Sequence, residues 1–167
     1  MASGRGLQLT KQVGEYLVCA ELCRKGLIST SFTGNVPEFD ILAIGENNIA
    51  KRIQVKTIRN GNWQFDAERF IKIKKFVKNS KMMQKVIGPV ELPLEELYYV
   101  FVNLKSSGKD EFYILTLKEL QEIIENHYTE ELKKIGDHRP RKPDSTHAAL
   151  QPRDLIKYKD KWNKITD

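Results

Sequence analysis

Little in this chain offers covalent or soft-metal chemistry. Its 167 residues include only two cysteines, Cys19 and Cys23, four apart in a stretch with helical periodicity. Two thiols without a nearby histidine make a poor zinc site, and a reducing compartment disfavours a disulfide, so both read as buried and inert. The three histidines, His127, His138 and His147, are scattered and carry no assigned role. There is no Gly-x-Ser-x-Gly elbow, no glycine-rich phosphate loop and no histidine pair at metal spacing, which sets aside the common hydrolase and nucleotide-binding classes. No apolar run approaches the ~18 residues of a membrane helix. The opening MASGRGLQLTKQVGE lacks the apolar core of a signal peptide, and a cytoplasmic location is expected.

What the chain has in quantity is charge, unevenly placed. Between Lys51 and Lys85 stand eleven Lys and Arg against two acids, Asp66 and Glu68, a local +9. The whole chain carries a formal +6, so the remainder sums to −3. Such asymmetry is the usual footprint for a polyanion, most simply nucleic acid; a solvated lysine-rich face is the plain alternative. The length suits one domain with a real hydrophobic core plus an appendage. Residues 1–135 are read as the core domain, and 136–167 as a basic loop and C-terminal helix that packs on the core or on a partner subunit.

Hydrophobic periodicity orders the elements. Residues 8–25 read as a helix ended by Gly26, with Val13, Tyr16, Leu17 and Ala20 on one stripe and Val18, Cys19 and Leu22 nearly opposite. Such a helix is expected to be covered on more than one side, which makes Glu15, beside the second stripe, an expensive carboxylate to leave unpaired. A strand is expected within 26–34, ending in a turn. Residues 39–44 and 49–58 form a hairpin, and 39–44 is apolar on both faces. Residues 66–85 fit either a helical face (Phe70, Ile73, Val77) or an alternating strand. Strands follow at 96–104 and 111–117, then a helix from Leu117 to Ile135. A terminal helix over 154–165 aligns Leu155, Tyr158, Trp162 and Ile165. The order implies one mixed α/β sheet with helices packed on it.

The hairpin carries the chemistry. With the three-residue loop Glu46-Asn47-Asn48, paired residue numbers sum to 94, which sets Asp40 opposite Gln54 and makes Lys56 its diagonal neighbour on the same face. A one-residue slip would send the three to opposite faces. A salt bridge between Asp40 and Lys56 is the plain reading of that pair, but it leaves Gln54 and Glu15 unexplained.

Glu15 in a first helix, "PEFD" ending in Asp40, and "QVK" from Gln54 to Lys56 together resemble the PD-(D/E)XK nuclease superfamily. The likeness spans roughly residues 10–117 and is nearest to members that carry Gln in place of the third-strand acid, among them homing and restriction-type endonucleases. The resemblance implies a restriction-endonuclease-like αβββαβ core with a central mixed sheet, and a Mg2+-dependent (or Mn2+-dependent) deoxyribonuclease acting on double-stranded DNA. It implies catalytic roles for Glu15, Asp40, Gln54 and Lys56. Asp40, Gln54, Glu15 and the Val55 main-chain carbonyl would be the metal ligands. A hard cation held by few oxygens leaves room for water and phosphate, and Lys56 would orient the water or stabilise charge on the phosphate. Gln54 removes one negative charge from the usual set, which Glu15, or less favourably Glu38, would restore. Burial without a metal should raise the carboxylate pKa values.

For DNA contact, the candidates are Arg59, Asn62 and Trp63 in the loop RNGNWQF, Lys74, Lys78 and Lys81 in the basic stretch, and Arg139 and Arg141 in the Pro-rich loop. Trp63 has a second reading as a core plug. The Trp162 face either docks on the core or pairs two copies into a homodimer. Two alternatives to the nuclease stand beside it: a catalytically silent nucleic-acid-binding module on the same fold, and a protein-interaction domain.

Overall fold

The computed structural model describes residues 4–32, 38–91 and 96–167. Its contacts fall into two compact units. The first comprises Met1–Trp63, Leu94–Leu117 and Leu150–Asp167; the second comprises Gln64–Pro93 and Lys118–Ala149. Among the described residues, no helix is long and apolar enough to cross a membrane.

The first unit is built on a five-stranded mixed sheet. Helix α1 (Gly4–Arg24) leads into β1 (Ile28–Ser31), β2 (Ile41–Ile44) and β3 (Ala50–Ile58). Gly26, at φ 87°, supplies the left-handed residue that ends the helix. Along the chain come β4 (Trp63–Asp66), β5 (Ile71–Lys78) and β6 (Lys81–Pro89), then β7 (Leu97–Asn103) and β8 (Glu111–Thr116). The sheet order is β1-β2-β3-β7-β8, antiparallel except for the parallel pair β3–β7. The expected mixed α/β architecture is what forms. The connection from β3 to β7 carries β4, a 3₁₀ turn (Ala67–Arg69) and the β5–β6 hairpin, where the αβββαβ pattern has a helix. The turn expected after β1, at 33–34, and Pro37 lie outside the described residues.

One face of this sheet holds the core. Ile41, Ala43, Ile53, Val55, Val100, Val102 and Ile114 pack against Val18 and Leu22 of α1 and against Trp162 and Ile165. Thr10, Gly14, Val18 and Leu22, at four-residue spacing, form the single buried stripe of α1. The stripe of Val13 and Tyr16 is not covered, both being exposed, so the expectation of a helix shielded on several sides fails. Cys19 is half-buried and Cys23 exposed, which corrects the reading of two buried thiols.

The second unit contains α2 (its first residue, Leu117, belongs to the first unit; Leu117–Lys134), most of the β4–β9 pair with β9 at His147–Leu150, and the β5–β6 hairpin. The ambiguous stretch is therefore strand, not helix. Asn79 and Ser80, both at positive φ, form a two-residue turn of the kind that matches strand twist. The C-terminal segment also departs from expectation: it is a 3₁₀ segment (Pro152–Tyr158) followed by the short α3 (Asn163–Thr166). Asp160 takes φ 54° and its N–H donates to the Phe112 carbonyl, which breaks the periodic run. The aligned apolar residues still point inward, with Leu155, Tyr158, Trp162 and Ile165 all buried. Trp162 is thus packed within its own chain and not offered to a second subunit.

Candidate active site

The β2–β3 ladder pairs Ile41 with Ile53, Leu42 with Arg52 and Ala43 with Lys51, so every pair sums to 94. This is the convergent register. It puts Asp40, just before β2, opposite Gln54, and puts Gln54 and Lys56 on the sheet face opposite Ile53 and Val55. Because β2 begins at Ile41, the edge of β3 beyond Gln54 has lost its strand partner on that side. Asp40 fills the gap: its Oδ2 accepts from the Val55 N–H at 2.8 Å and from the Gln54 amide.

Helix α1 reaches the same place because Gly14 lets it. A Cβ at Gly14 would stand 1.8 Å from Thr57 Oγ1, so only glycine allows the helix to lie this close to β3. The next residue is Glu15, whose side chain is 14% exposed. Lys11, one turn earlier, spans the two acids, with Nζ 3.5 Å from Glu15 Oε1 and 3.3 Å from Asp40 Oδ1. Burial, then the Asp40 charge, push the Glu15 carboxyl above its usual range, with Lys11 pulling the other way. Desolvation acts to lower the Lys11 pKa, but attraction to Asp40 and Glu15 outweighs it and the value rises. The expected rise in carboxylate pKa thus holds at Glu15.

Three of the four expected catalytic residues, Glu15, Asp40 and Gln54, therefore meet through direct contacts or through Lys11. Lys56 sits two residues beyond Gln54 on the same face, and its main-chain carbonyl accepts from Trp63 Nε1 at 2.9 Å. Lys11 is an ionic partner of Asp40 that the sequence reading missed; its i,i+4 spacing to Glu15 was the available signal. Glu38 is exposed.

Among the described residues, no group of three or more His, Cys, Asp or Glu side chains comes together. A hard cation would therefore rest on two carboxylates, with the Gln54 amide oxygen and Val55 carbonyl as neutral donors. The residues present fit such an ion, because two neighbouring carboxylates already hold a cationic ammonium between them. Turning the Gln54 amide over about its terminal torsion would present oxygen in place of nitrogen.

The expected DNA-contacting residues divide. Trp63 is a core plug: 3% exposed, edge-on to Phe101 and Tyr113 at ring distances of 5.2 and 5.9 Å, it has no free face for a base. Arg139 is held by Glu131 at 3.1 Å, by the His147 carbonyl and by the Tyr128 ring, so its guanidinium is engaged within its own unit rather than offered to DNA. Arg59 is exposed and donates from Nε to Thr10 Oγ1 at 3.1 Å, while Asn62 is half-buried. Lys74, Lys78, Lys81 and Arg141 are exposed.

The fold is a mixed α/β one, a five-stranded sheet flanked by helices, of an endonuclease-like kind. A solved structure with this fold is that of a bacterial homing endonuclease, I-Ssp6803I, at a TM-score of 0.50 and 14% identity, matched over 95% of this chain and 91% of that one. No protein-family model matches the sequence, and no match was found among curated proteins.

Proposed function

We propose that the protein is a metal-dependent DNA endonuclease of the PD-(D/E)XK type, hydrolysing phosphodiester bonds in double-stranded DNA. The observation that carries this reading is the meeting of Glu15, Asp40 and Gln54 where β2 and β3 part, with Lys56 on the same strand face. The fold shared with a homing endonuclease supports it. Asp40, Glu15, the Gln54 amide oxygen and the Val55 carbonyl would hold Mg2+ or Mn2+, which supplies Lewis-acid polarisation of the phosphate and an acidified water. Lys56 would orient the attacking water and offset charge gathering on the phosphate oxygens. Asp40, fixed by the Val55 N–H, keeps one oxygen committed to the strand and leaves Oδ1 on the side that Lys11 occupies.

The second reading, a silent DNA-binding module, draws on one feature: Lys11 and the Gln54 amide already satisfy Asp40 without a metal. Nicking of supercoiled plasmid in Mg2+ and Mn2+ separates the two. Metal-dependent nicking lost in Asp40→Ala and in Lys56→Ala supports the nuclease. Salt-sensitive DNA binding without nicking by the wild type on any substrate would favour the silent module.

A further inference from the structure

The β5–β6 hairpin has two unlike faces. On one, Ile73 pairs with Val86, Lys75 with Gln84 and Val77 with Met82. Gln84 is fully buried there, donating to the Pro143 and Ser145 carbonyls and accepting from the Tyr128 hydroxyl at 2.5 Å. That face is anchored to its own unit. The opposite face pairs Lys74 with Lys85, Phe76 with Met83 and Lys78 with Lys81; its four lysines and Phe76 are exposed and Met83 is half-buried. Two rungs thus set lysine directly against lysine, with an apolar rung between them. The anchored face has an acid for its lysine, Glu68 at 3.1 Å from Lys75. The four lysines of the outer face have no carboxylate partner among the described residues.

Like charges directly opposite on a ladder destabilise it, with Cβ atoms only ~5 Å apart. A polyanion laid along this face would relieve the repulsion of both rungs. The dimensions fit a duplex. A two-stranded ribbon is the size of element that B-DNA's ~12 Å major groove admits. Four residues at ~3.4 Å each separate the lysine rungs by about 14 Å. The Phe76–Met83 rung lies midway, where thymine methyls offer apolar contact.

We propose that this outer face of the β5–β6 ribbon docks in the DNA major groove, with Lys74, Lys78, Lys81 and Lys85 on phosphates or guanine edges and Phe76 and Met83 against base edges. This inference rests on the nuclease reading, since it assigns the surface that holds the substrate. It adds Lys85, Phe76 and Met83 to the expected lysines and supplies the groove.

The test is fluorescence anisotropy of a labelled duplex across a salt series, with the full chain and its Lys74→Gln/Lys81→Gln variant, which takes one lysine from each rung. The expected result is binding weaker by about tenfold or more, and a salt slope reduced in magnitude by about 1.8 for two lost phosphate contacts. The thermal midpoint should hold or rise as the rungs stop repelling. Methyl green, a major-groove ligand, should displace the protein, and the minor-groove ligand distamycin should not. Unchanged affinity and slope in a variant that still binds duplex would overturn the ribbon and leave the nuclease reading standing. Displacement by distamycin alone, or equal affinity for a single strand of the same length, would overturn the groove assignment. A wild type that binds no duplex at any salt would overturn both readings together.

Discussion

At the scale of single residues, the site is a charge problem with a local solution. Two carboxylates close together repel unless a cation stands between them, and Lys11 is that cation here. Its ammonium occupies ground that a divalent ion would need, so Lys11→Met should tighten Mn2+ binding roughly fivefold, the equivalent of about 1 kcal/mol for a lost exposed ion pair. Isothermal calorimetry reads this directly, and weaker binding in the variant would show that Lys11 supports the metal instead. Glu15 gives a pH signature. Its folded-state pKa is raised above the ordinary 4.5, so the folded chain holds the proton more tightly than the unfolded one. Stability then falls as pH rises from about 4.5 through the folded value, and the loss persists at neutral pH. Glu15→Gln should therefore raise the thermal midpoint at pH 7, with the gain vanishing near pH 4. A midpoint lowered at pH 7 would mean that the Lys11 contact outweighs burial and the Asp40 charge.

At the scale of elements, Gly14 decides how closely α1 approaches the sheet. Alanine is ordinarily the better helix former by about 1 kcal/mol, yet its methyl would collide with Thr57 at 1.8 Å. Gly14→Ala should be destabilising by about 1–3 kcal/mol, as overpacked cores are, and should weaken metal binding by moving Glu15. Denaturant melts together with Mn2+ titration check both; a stabilised variant would place α1 farther from β3. These same elements show what the sequence could and could not yield. The β2–β3 register was only partly legible: an odd loop length puts Ile41, Ala43, Ile53 and Val55 on one face and allows the convergent pairing, but parity alone does not exclude a two-residue slip, and the ladder itself decides. The β5–β6 stretch was ambiguous because Phe70, Ile73 and Val77 fit a helix as well as a strand, and only pairing across Asn79-Ser80 decides. The terminal helix failed because a tertiary hydrogen bond, from Asp160 to the edge of β8, outweighed a periodic pattern. Gly14 was invisible as a site residue, since it reads as a mild helix breaker until α1 is set against β3, and Lys11 offered only its i,i+4 spacing to Glu15, which does not tell a site residue from a solvated lysine.

At the scale of the whole molecule, the chain separates its tasks. The first unit gathers the carboxylates and Gln54 around β2, β3 and α1, and the second carries the lysine ribbon. The charge asymmetry seen in the sequence resolves into these parts: Lys51 is buried against the Ile165 carbonyl, Arg59 is tied to Thr10, and four lysines of that stretch with no carboxylate partner among the described residues lie on the hairpin. The central question is whether Asp40, Glu15 and Gln54 hold a divalent ion. The direct measurement is a Mn2+ titration followed by electron paramagnetic resonance on the wild type, Asp40→Asn and Lys56→Ala. The expected result is a single saturable Mn2+ site in the wild type, retained in Lys56→Ala and lost in Asp40→Asn. A wild type that binds no Mn2+, or an Asp40→Asn variant that binds it equally well, would contradict it.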